Sequence, residues 1–267
     1  MEKAQKRAAW VLLIGLLSVA GFNIGSSVYS AVNEPFVQLV LNIPASRLDV
    51  FETGRLTRSY DVSAGARGFQ TPAGNYRIRQ ITWNPWWHPP GSEWARGRKA
   101  QAPGPDNPMG RVKLQFSDLL YIHGTTEEGA LGASASHGCV RMSNSDLIEL
   151  ARLLHSYSTP RVPVNVLETL QDNPYQTRSF TLRQPVPLVV KYDLVEVRDG
   201  ALIIHPNVYR IKDADVKKQV LVVLQQKGID LRWLSSSQLE KITRVRNATR
   251  LRIPLDTLLS GAGSEAR

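Results

Sequence analysis

The sequence predicts a mainly β fold, a sandwich or barrel with one flanking helix, followed by a small α/β module at the C-terminus. Residues 37–42 and 47–52 alternate apolar and polar side chains, and a short connection containing Pro44 joins them, which is typical of a β-hairpin. Residues 56–63 and 74–81 continue the alternating pattern, with turn signals between the segments. Short strands at this spacing, with one later helix, indicate a β-rich unit whose functional site lies at one edge.

The flanking helix is predicted to begin after residue 143. Leu147, Leu150 and Leu154 recur at helical spacing, and Ser143 precedes Asp146 by three residues, which resembles a capping box. A helix that begins here places its positive end just downstream of residue 139.

The C-terminal part predicts a second, smaller unit. Asp199 and Gly200 form a two-residue hairpin signal between apolar runs, and a helical pattern follows after residue 212. The predicted strands are residues 187–193, 195–197 and 201–206, and the predicted helices are residues 212–226 and 231–242. Residues 261–267 are expected to be disordered.

Three domain ranges follow from these patterns. Residues 1–30 form a signal peptide or an N-terminal membrane anchor, residues 35–168 a first domain, and residues 185–260 the small α/β module. We expect residues 162–167 to be the last strand of the first domain and residues 171–184 to be a polar connection.

The composition is that of an ordinary globular chain. The 267 residues are 42% hydrophobic and 21% charged, which allows one sizeable core and a second small unit. The formal net charge of +10 suits anionic cell-wall polymers, lipid headgroups or nucleic acid. Because the basic residues are spread along the chain, nucleic-acid binding is not predicted.

The N-terminal segment indicates export. Lys3, Lys6 and Arg7 precede a mostly apolar run at residues 8–22, as in a secretory leader. The run is short for a membrane span, which needs about 20 residues, although extension to Val28 nearly reaches that length. Cleaved leader and uncleaved anchor both place the rest of the chain outside the inner membrane, in the periplasm or cell envelope; a buried N-terminal helix is the third alternative.

The chain contains one cysteine, Cys139, which cannot form an internal disulfide. A thiol attacks as its thiolate and needs an imidazole partner at neutral pH, and two histidines are candidates. His137 lies two positions away, on the same face of an extended segment. His123 follows the apolar run at residues 119–122, predicted as a buried strand, and residues 125–135 form a loop that can return the chain. The pattern therefore predicts a cysteine nucleophile with a histidine base.

The segment before the cysteine suits an oxyanion site. Gly138 permits a strained backbone and a close approach to a ligand. The amides of Gly138 and Cys139 can then point at a developing oxyanion. The nearby helix start modestly favours a thiolate.

Residues 83–90 form a segment that is rich in tryptophan and proline, unlike the alternating strands around it. It carries three of the six tryptophans, and its prolines prevent regular structure. Such a loop is either a lid packed on the β unit or a wall for a sugar or peptide ligand. If it is a wall, Trp86, Trp87 and Trp94 are the expected contacts, whereas His88 is expected to be structural.

Together these motifs resemble the L,D-transpeptidases, the YkuD-like enzymes that cross-link peptidoglycan. The resemblance rests on H-G-T at residues 123–125, S-H-G-C-x-R at residues 136–141, T-P-x-G-x-Y at residues 71–76 and the glycine-ended loop at residues 105–110. It covers roughly residues 36–166, about half of the chain. It implies a YkuD-like β-sandwich or barrel as the catalytic domain.

The resemblance also implies roles for the residues of these motifs. Cys139 would be the nucleophile, His123 the general base, and the carbonyl of Gly124 the group that orients the imidazole. His137 would lie beside the substrate, and Arg141 would hold a substrate carboxylate through its paired donors. The remaining motif residues, Ser136 and Gly138, would line the oxyanion region.

The function implied is an exported L,D-transpeptidase that takes peptidoglycan stem peptides and needs no cofactor. An L,D-carboxypeptidase or another peptidoglycan hydrolase would use the same residues. A remote alternative is a non-enzymatic metal- or wall-binding module, with His123, His137 and Cys139 as ligands. No second cysteine completes such a set and Arg141 would repel the ion, so no metal site is predicted.

Overall fold

The computed structural model describes residues 36–157, 161–212, 214–230 and 250–260, with residues 234, 240 and 242. These residues belong to one compact unit, residues 36–267. The predicted leader or anchor at residues 1–30, most of the predicted helix at residues 231–242 and the tail at residues 261–267 lie outside the described residues. No helix within the described ranges is long and apolar enough to cross a bilayer.

Eight strands close into a barrel, which confirms the mainly β prediction. Around the barrel the strands run β1-β2-β3-β7-β6-β5-β4-β8; β6–β7 and β1–β8 are parallel pairs and the others antiparallel. The strands are β1 (Val37–Asn42), β2 (Arg47–Glu52), β3 (Arg55–Ser63), β4 (Gly74–Trp83), β5 (Val112–Gln115), β6 (Tyr121–Gly124), β7 (Val140–Met142) and β8 (Arg178–Lys191).

Apolar side chains that alternate with polar ones along the strands fill the interior of the barrel. In β1 and β2, Leu39, Leu41, Leu48 and Val50 are fully buried, and Leu41 pairs with Leu48 across the hairpin. Both strands have the predicted bounds, so the hairpin prediction is confirmed.

Helix α1 (Asn144–Ser156) covers one side of the barrel. As the capping pattern predicts, Ser143 Oγ accepts the backbone N–H of Asp146 at 3.1 Å. The leucines of the helical pattern are buried, which places the apolar face of α1 against the core of the barrel.

Two predictions between residues 162 and 184 are wrong. Val164–Asp172 form helix α2 instead of a strand, because Pro163 suits a helix start and the buried Leu167 and Leu170 recur at helical spacing. Residues 171–184 are not a polar connection, since much of this range belongs to β8. The polar side chains that suggested a loop occupy the exposed face of β8, which pairs with β1 and β4 and closes the barrel beyond residue 168.

The C-terminal module has its own sheet, in the order β11-β10-β9. Asp199 and Gly200 both have positive φ, 48° and 67°, as a two-residue hairpin turn requires. Helix α3 packs on this sheet around a second apolar cluster, so a small α/β unit does follow the barrel. The predicted first strand of this module, residues 187–193, is wrong in its assignment, because residues 187–191 are the end of β8 and pair with β1 and β4 of the barrel. The elements are β9 (Val195–Arg198), β10 (Ala201–Ile204), α3 (Val216–Gln226), β11 (Leu251–Pro254) and α4 (Leu255–Ser260).

Ion pairs join the module to the barrel. Arg47 of β2 donates two hydrogen bonds of 2.7 Å to Glu196 of β9, and Arg198 donates to Asp49 of β2 at 3.1 Å. His205 Nε2 lies 2.9 Å from Glu196. A bidentate arginine–carboxylate pair fixes orientation as well as distance, so these contacts hold the module in one position on the barrel.

Candidate active site

Strands β6 and β7 carry the predicted catalytic residues side by side. They pair in parallel, with Ile122 opposite Val140 and His123 opposite Arg141. Because Ile122 and Val140 are fully buried in the barrel, the alternating residues His123 and Arg141 belong to the other face of the sheet. Cys139 precedes β7 by one residue and shares that face, diagonally from His123. The loop at residues 125–135 therefore does bring the second motif back beside the first.

The imidazole of His123 is buried and held in one orientation. Its side chain is 6% exposed, and Nδ1 lies 2.6 Å from the carbonyl oxygen of Gly124. A carbonyl only accepts, so the bond places the proton on Nδ1 and the lone pair on Nε2. Burial lowers the pKa of His123 to about 4, against the raising effect of the Gly124 bond. The ring is thus neutral at pH 7, as a general base must be.

The thiol of Cys139 is also neutral in this structure. Burial raises its pKa, and the nearby charges of Lys113 and Arg141 only partly oppose that effect. Sγ donates to the carbonyl of Leu119 at 3.7 Å. Burial therefore favours the thiol over the thiolate, against the modest opposite effect expected from the helix start. The proton has to move to a base when the sulfur attacks.

The segment before Cys139 is tightly bonded. Ser136 Oγ donates a short hydrogen bond to the carbonyl of Cys139, and the Gly138 amide donates to Ser136 Oγ at 3.2 Å. Gly138 has φ of +108°, a conformation that side chains rarely adopt. Since Ser136 engages the Gly138 amide, the candidate oxyanion donor of this pair is the Cys139 amide.

His137 lies in a different setting. Its ring stacks on Trp94, with centroids 4.1 Å apart and planes 17° apart, and meets the edge of Phe69 at 4.6 Å. The side chain is exposed, but its aromatic neighbours shield part of the ring from water. This desolvation, followed by the charges of Arg141 and Arg98, lowers the pKa of His137. The aromatic contacts position His137 at the rim of the site.

The structure places the other two predicted tryptophans elsewhere in the aromatic loop. Trp86 is 46% exposed and stacks on His88 at 6.1 Å. Trp87 exchanges backbone hydrogen bonds of 2.9 and 3.0 Å with Gln101. Of the three candidate wall residues, Trp94 is the one that the structure brings onto a motif histidine.

Arg141 already holds a carboxylate of its own chain. Its Nη1 donates to Glu127 at 2.8 Å, and the two side chains are 24% and 68% exposed. Glu127 belongs to the loop between β6 and β7. An exposed pair of this kind contributes about 0–1 kcal/mol, so an incoming carboxylate can compete for the same guanidinium.

The predicted apolar strand at residues 119–122 is only partly correct. Strand β6 begins at Tyr121, and Leu119 is 77% exposed. The carbonyl of Leu119 faces the thiol of Cys139. Leu119 is therefore a rim residue of the site, not part of the core.

Asn144, which the sequence did not single out for function, joins three parts of the site. Its Oδ1 accepts the Arg111 amide at 2.8 Å, and its Nδ2 donates to the carbonyl of Thr125 at 2.8 Å. A Cβ on Gly110 or Gly124 would lie 2.3 or 2.2 Å from Asn144 Oδ1. The glycines of two sequence motifs are thus required by close packing against this amide. Asn144 lies three residues after Arg141 in the sequence, and this spacing does not predict the contacts that its amide makes.

Lys113 is a second residue that sequence reasoning missed. It pairs with His123 across β5 and β6, and its Nζ lies 4.8 Å from the ring centroid of Tyr121. Burial lowers its pKa, while the negative form of Cys139 raises it. The alternation of Lys113 with the buried Val112 and Leu114 would have predicted an outward lysine, but not its position near the thiol.

The arrangement supports nucleophilic chemistry more directly than metal binding. Within the ranges that the structure describes, no group of three His, Cys, Asp or Glu side chains could hold a metal ion. The site instead offers a neutral imidazole, a thiol one residue before the adjacent strand, and the cation of Arg141.

Part of the chain is similar to known proteins. Residues 37–166 match the family model of the L,D-transpeptidase catalytic domain, YkuD. An Escherichia coli protein that carries the name L,D-transpeptidase YbiS is 33% identical over 118 residues, which are 41% of this chain and 39% of that protein. A Bacillus licheniformis protein with the name L,D-transpeptidase YkuD is 28% identical over 118 residues, 44% of this chain and 59% of that protein.

The chain spans 39% and 59% of the length of these two curated relatives. The solved structure of an L,D-transpeptidase from Mycobacterium smegmatis is 17% identical and covers 58% of each chain, with a TM-score of 0.37. That likeness is too distant to assign residues.

Proposed function

We propose that this chain belongs to the YkuD family of L,D-transpeptidases, on the match of residues 37–166 to the family model, and that it cross-links peptidoglycan stem peptides through an acyl-enzyme on Cys139. The donor is a stem tetrapeptide that ends in a D-residue. The amide before that residue is broken, and an acceptor amine of a second stem receives the acyl group.

One observation carries the proposal. The lone pair of His123 Nε2 is made available by the 2.6 Å bond between Nδ1 and the Gly124 carbonyl. His123 lies next to the end of β6, which pairs with β7, and the one cysteine of the chain, Cys139, directly precedes β7. A thiol and an oriented neutral base on adjacent strands are the two groups that cysteine acyl transfer requires.

The acylation step balances with these groups alone. Sγ of Cys139 leaves the Leu119 carbonyl, gives its proton to His123 Nε2 and bonds to the substrate carbonyl carbon. The negative charge on the carbonyl oxygen is met by the Cys139 amide. Collapse breaks the C–N bond, and His123 returns the proton to the departing amine. The product is a thioester with a free D-amino acid.

The second step reverses the roles. The acceptor amine attacks the thioester carbonyl and gives a proton to Nε2. The C–S bond then breaks, and the proton returns to the sulfur. The thioester conserves the energy of the broken amide, so cross-linking needs no ATP, which suits a compartment outside the inner membrane.

Two features of the surface suit this substrate. Arg141 offers a guanidinium to a carboxylate of the stem peptide in exchange for Glu127. Trp94, which stacks on His137, supplies a wall that excludes water from the thioester. The N-terminal segment, residues 1–30, exports the enzyme or anchors it to the inner membrane, and the net charge of +10 suits an anionic cell wall.

The test uses the full-length protein with purified disaccharide tetrapeptide. A covalent adduct on Cys139 should appear first by intact mass, followed by dimers with an L,D link. Cys139→Ser should form neither, whereas Tyr175→Phe, a change on an exposed ring, should behave as the wild type. Product from Cys139→Ser at the wild-type rate would overturn the mechanism.

The same experiment separates the alternatives. Tripeptide monomers without dimers would identify an L,D-carboxypeptidase, in which water resolves the thioester. Loss of activity after exhaustive chelation would favour a metal site, while the thiol mechanism predicts unchanged activity.

A further inference from the structure

We propose that Tyr209, which lies outside the family-matched residues 37–166, is a positioning residue for the backbone amide of Cys139 and acts through Thr71 and Gly138. The proposal rests on the proposed role of Cys139 as nucleophile. It assigns to the segment after β8 a part in the chemistry of the barrel.

The contacts form a continuous chain from the C-terminal segment to the nucleophile. The phenol oxygen of Tyr209 accepts the backbone N–H of Thr71 at 3.0 Å. Thr71, which is 1% exposed, donates its hydroxyl to the carbonyl of Gly138 at 2.8 Å. The same hydroxyl accepts the amide of Gly65 at 2.9 Å. Both hydrogen-bonding sides of the Thr71 hydroxyl are thus used, and its direction is fixed.

Peptide geometry carries the restraint to Cys139. The Gly138 carbonyl and the Cys139 N–H belong to one planar trans peptide unit, so they point in opposite directions. Holding the carbonyl against Thr71 therefore aims the Cys139 N–H the other way. Gly138 has φ of +108°, and a glycine restrains its own peptide weakly. The aim of the oxyanion donor depends on this external bond.

Tyr209 is itself held in place by the segment around it. Its ring stacks on Tyr192, with centroids 5.1 Å apart and planes 22° apart. The backbone N–H of Tyr209 donates to the Tyr192 hydroxyl at 2.8 Å, and that hydroxyl donates to Asn207 Oδ1 at 2.8 Å. Tyr192 directly follows β8, so the chain that closes the barrel also fixes the phenol that reaches Thr71.

Two reagents that react with Cys139 distinguish the direction of its backbone N–H from the reactivity of its thiol. Acylation by p-nitrophenyl acetate passes through a tetrahedral oxyanion: sulfur bonds to the carbonyl carbon, its proton goes to His123, and p-nitrophenolate leaves. Alkylation by iodoacetamide displaces iodide at a saturated carbon and forms no oxyanion. A misaimed Cys139 amide should therefore slow the first reaction and leave the second unchanged, over the whole pH range.

The variants follow the chain of contacts. Tyr209→Phe removes the acceptor of the Thr71 amide and should lower the acylation rate about tenfold at an unchanged alkylation rate. Thr71→Val removes the hydroxyl that holds Gly138 and should lower it about 100-fold, and Thr71→Ser should recover most of that loss. Tyr175→Phe is the matched control. In the double variant, Tyr209→Phe should add almost nothing to Thr71→Val, because both act on one restraint.

The outcomes are distinguishable. Acylation of Tyr209→Phe at the wild-type rate, or a full tenfold further loss in the double variant, would overturn the positioning role while Cys139 remains the nucleophile. Equal loss of acylation and alkylation, with a lowered Tm, would mean a merely structural contact and also overturn it. A wild type that the ester does not acylate at Cys139 would overturn the proposed function and this proposal together.

Discussion

The two histidines near Cys139 lie in regions of opposite character. His123 is the penultimate residue of strand β6, is 6% exposed, and has one ring nitrogen hydrogen-bonded to the carbonyl of Gly124. His137 lies on the exposed loop before β7, and its ring is held by the faces and edges of Trp94 and Phe69. The strand fixes a nitrogen for proton transfer, whereas the loop fixes a ring as a contact surface.

This difference indicates which part of the site suits proton transfer and which suits contact with a ligand. A general base needs a defined tautomer and one direction, which a hydrogen bond in a rigid sheet provides. Ligand recognition tolerates adjustment, and aromatic contacts on loops provide area without a fixed bond. Under the proposed mechanism, sequence adjacency, which favours His137, is therefore a poor guide to the base of Cys139.

The largest expected effect comes from removing one histidine at a time. His123→Ala should lower the rate of Cys139 acylation by p-nitrophenyl acetate about 10²- to 10⁴-fold, because the thiol loses its proton acceptor. His137→Ala should leave acylation within a few-fold of the wild type. Iodoacetamide alkylation near neutral pH should follow the same order. Reversed effects of the two variants would make His137 the base.

The pH dependence sharpens the same comparison. Burial lowers the pKa of His123 to about 4 from an ordinary value of 6.5, so the base stays neutral down to about pH 4. At pH 5, a base of pKa 6.5 would already have lost about 30-fold in activity, whereas His123 should have lost little. The acylation rate should therefore be half-maximal near pH 4 and flat above it, until the thiol ionises. A midpoint near 6.5 would contradict the buried base.

The free energy of unfolding should fall at low pH, as the acylation rate does. His123 binds a proton below about pH 4 when folded and below about pH 6.5 when unfolded, so the unfolded state binds more protons between these values. The unfolding free energy should accordingly fall as pH drops from 6.5 towards 4. Urea unfolding of His123→Ala should show a weaker decline over that range than the wild type.

The third effect concerns Arg141, on the strand side of the site. Arg141→Lys keeps the charge but loses the planar fork, so kcat/KM for the tetrapeptide donor should fall about tenfold. Acylation by p-nitrophenyl acetate, which has no carboxylate, should not change. A Tm lowered by many degrees would instead assign Arg141 to a structural ion pair with Glu127.

How far the sequence predicts this molecule depends on the range of the contacts. The hairpin of β1 and β2 and the start of α1 are local patterns, and they were predicted to within a residue. The sequence predicted the end of β8, residues 187–191, as a strand but assigned it to the C-terminal module. It did not predict the first part of β8, because the exposed positions there are polar and the partner strands, β1 and β4, are more than 90 residues away in sequence. Alternation of apolar and polar residues does not by itself distinguish a strand with a solvent-exposed face from a loop.

The site shows the same limit. The motifs placed His123, Gly124 and Cys139 together, and their adjacency follows from the parallel pairing of β6 and β7. Lys113 and Tyr209 reach the site by strand pairing and by packing of a separate module. Those contacts join distant segments and leave no local pattern in the sequence.

The aromatic loop provides a smaller effect. Trp94 stacks on His137 at 4.1 Å, whereas Trp86 stacks on His88. Trp94→Ala should raise KM for the donor about three- to fivefold, because the rim histidine loses its main contact surface. The ratio of dimer to tripeptide should also fall if the loop excludes water. Trp86→Ala tests whether the wall extends along the loop, and an effect as large as that of Trp94→Ala would show that it does.

The smallest expected effect tests whether Glu127, in the loop between β6 and β7, occupies the guanidinium of Arg141 until a substrate binds. Glu127 is 68% exposed, so its bond to Arg141 is weak and competes with a substrate carboxylate. Glu127→Gln should lower KM for the tetrapeptide donor about two- to threefold and leave kcat unchanged. Glu93→Gln, which breaks an exposed pair with Arg96, is the matched control. A raised KM in Glu127→Gln would show instead that the pair orients Arg141 for the substrate, and combining it with Arg141→Lys would then give no further loss.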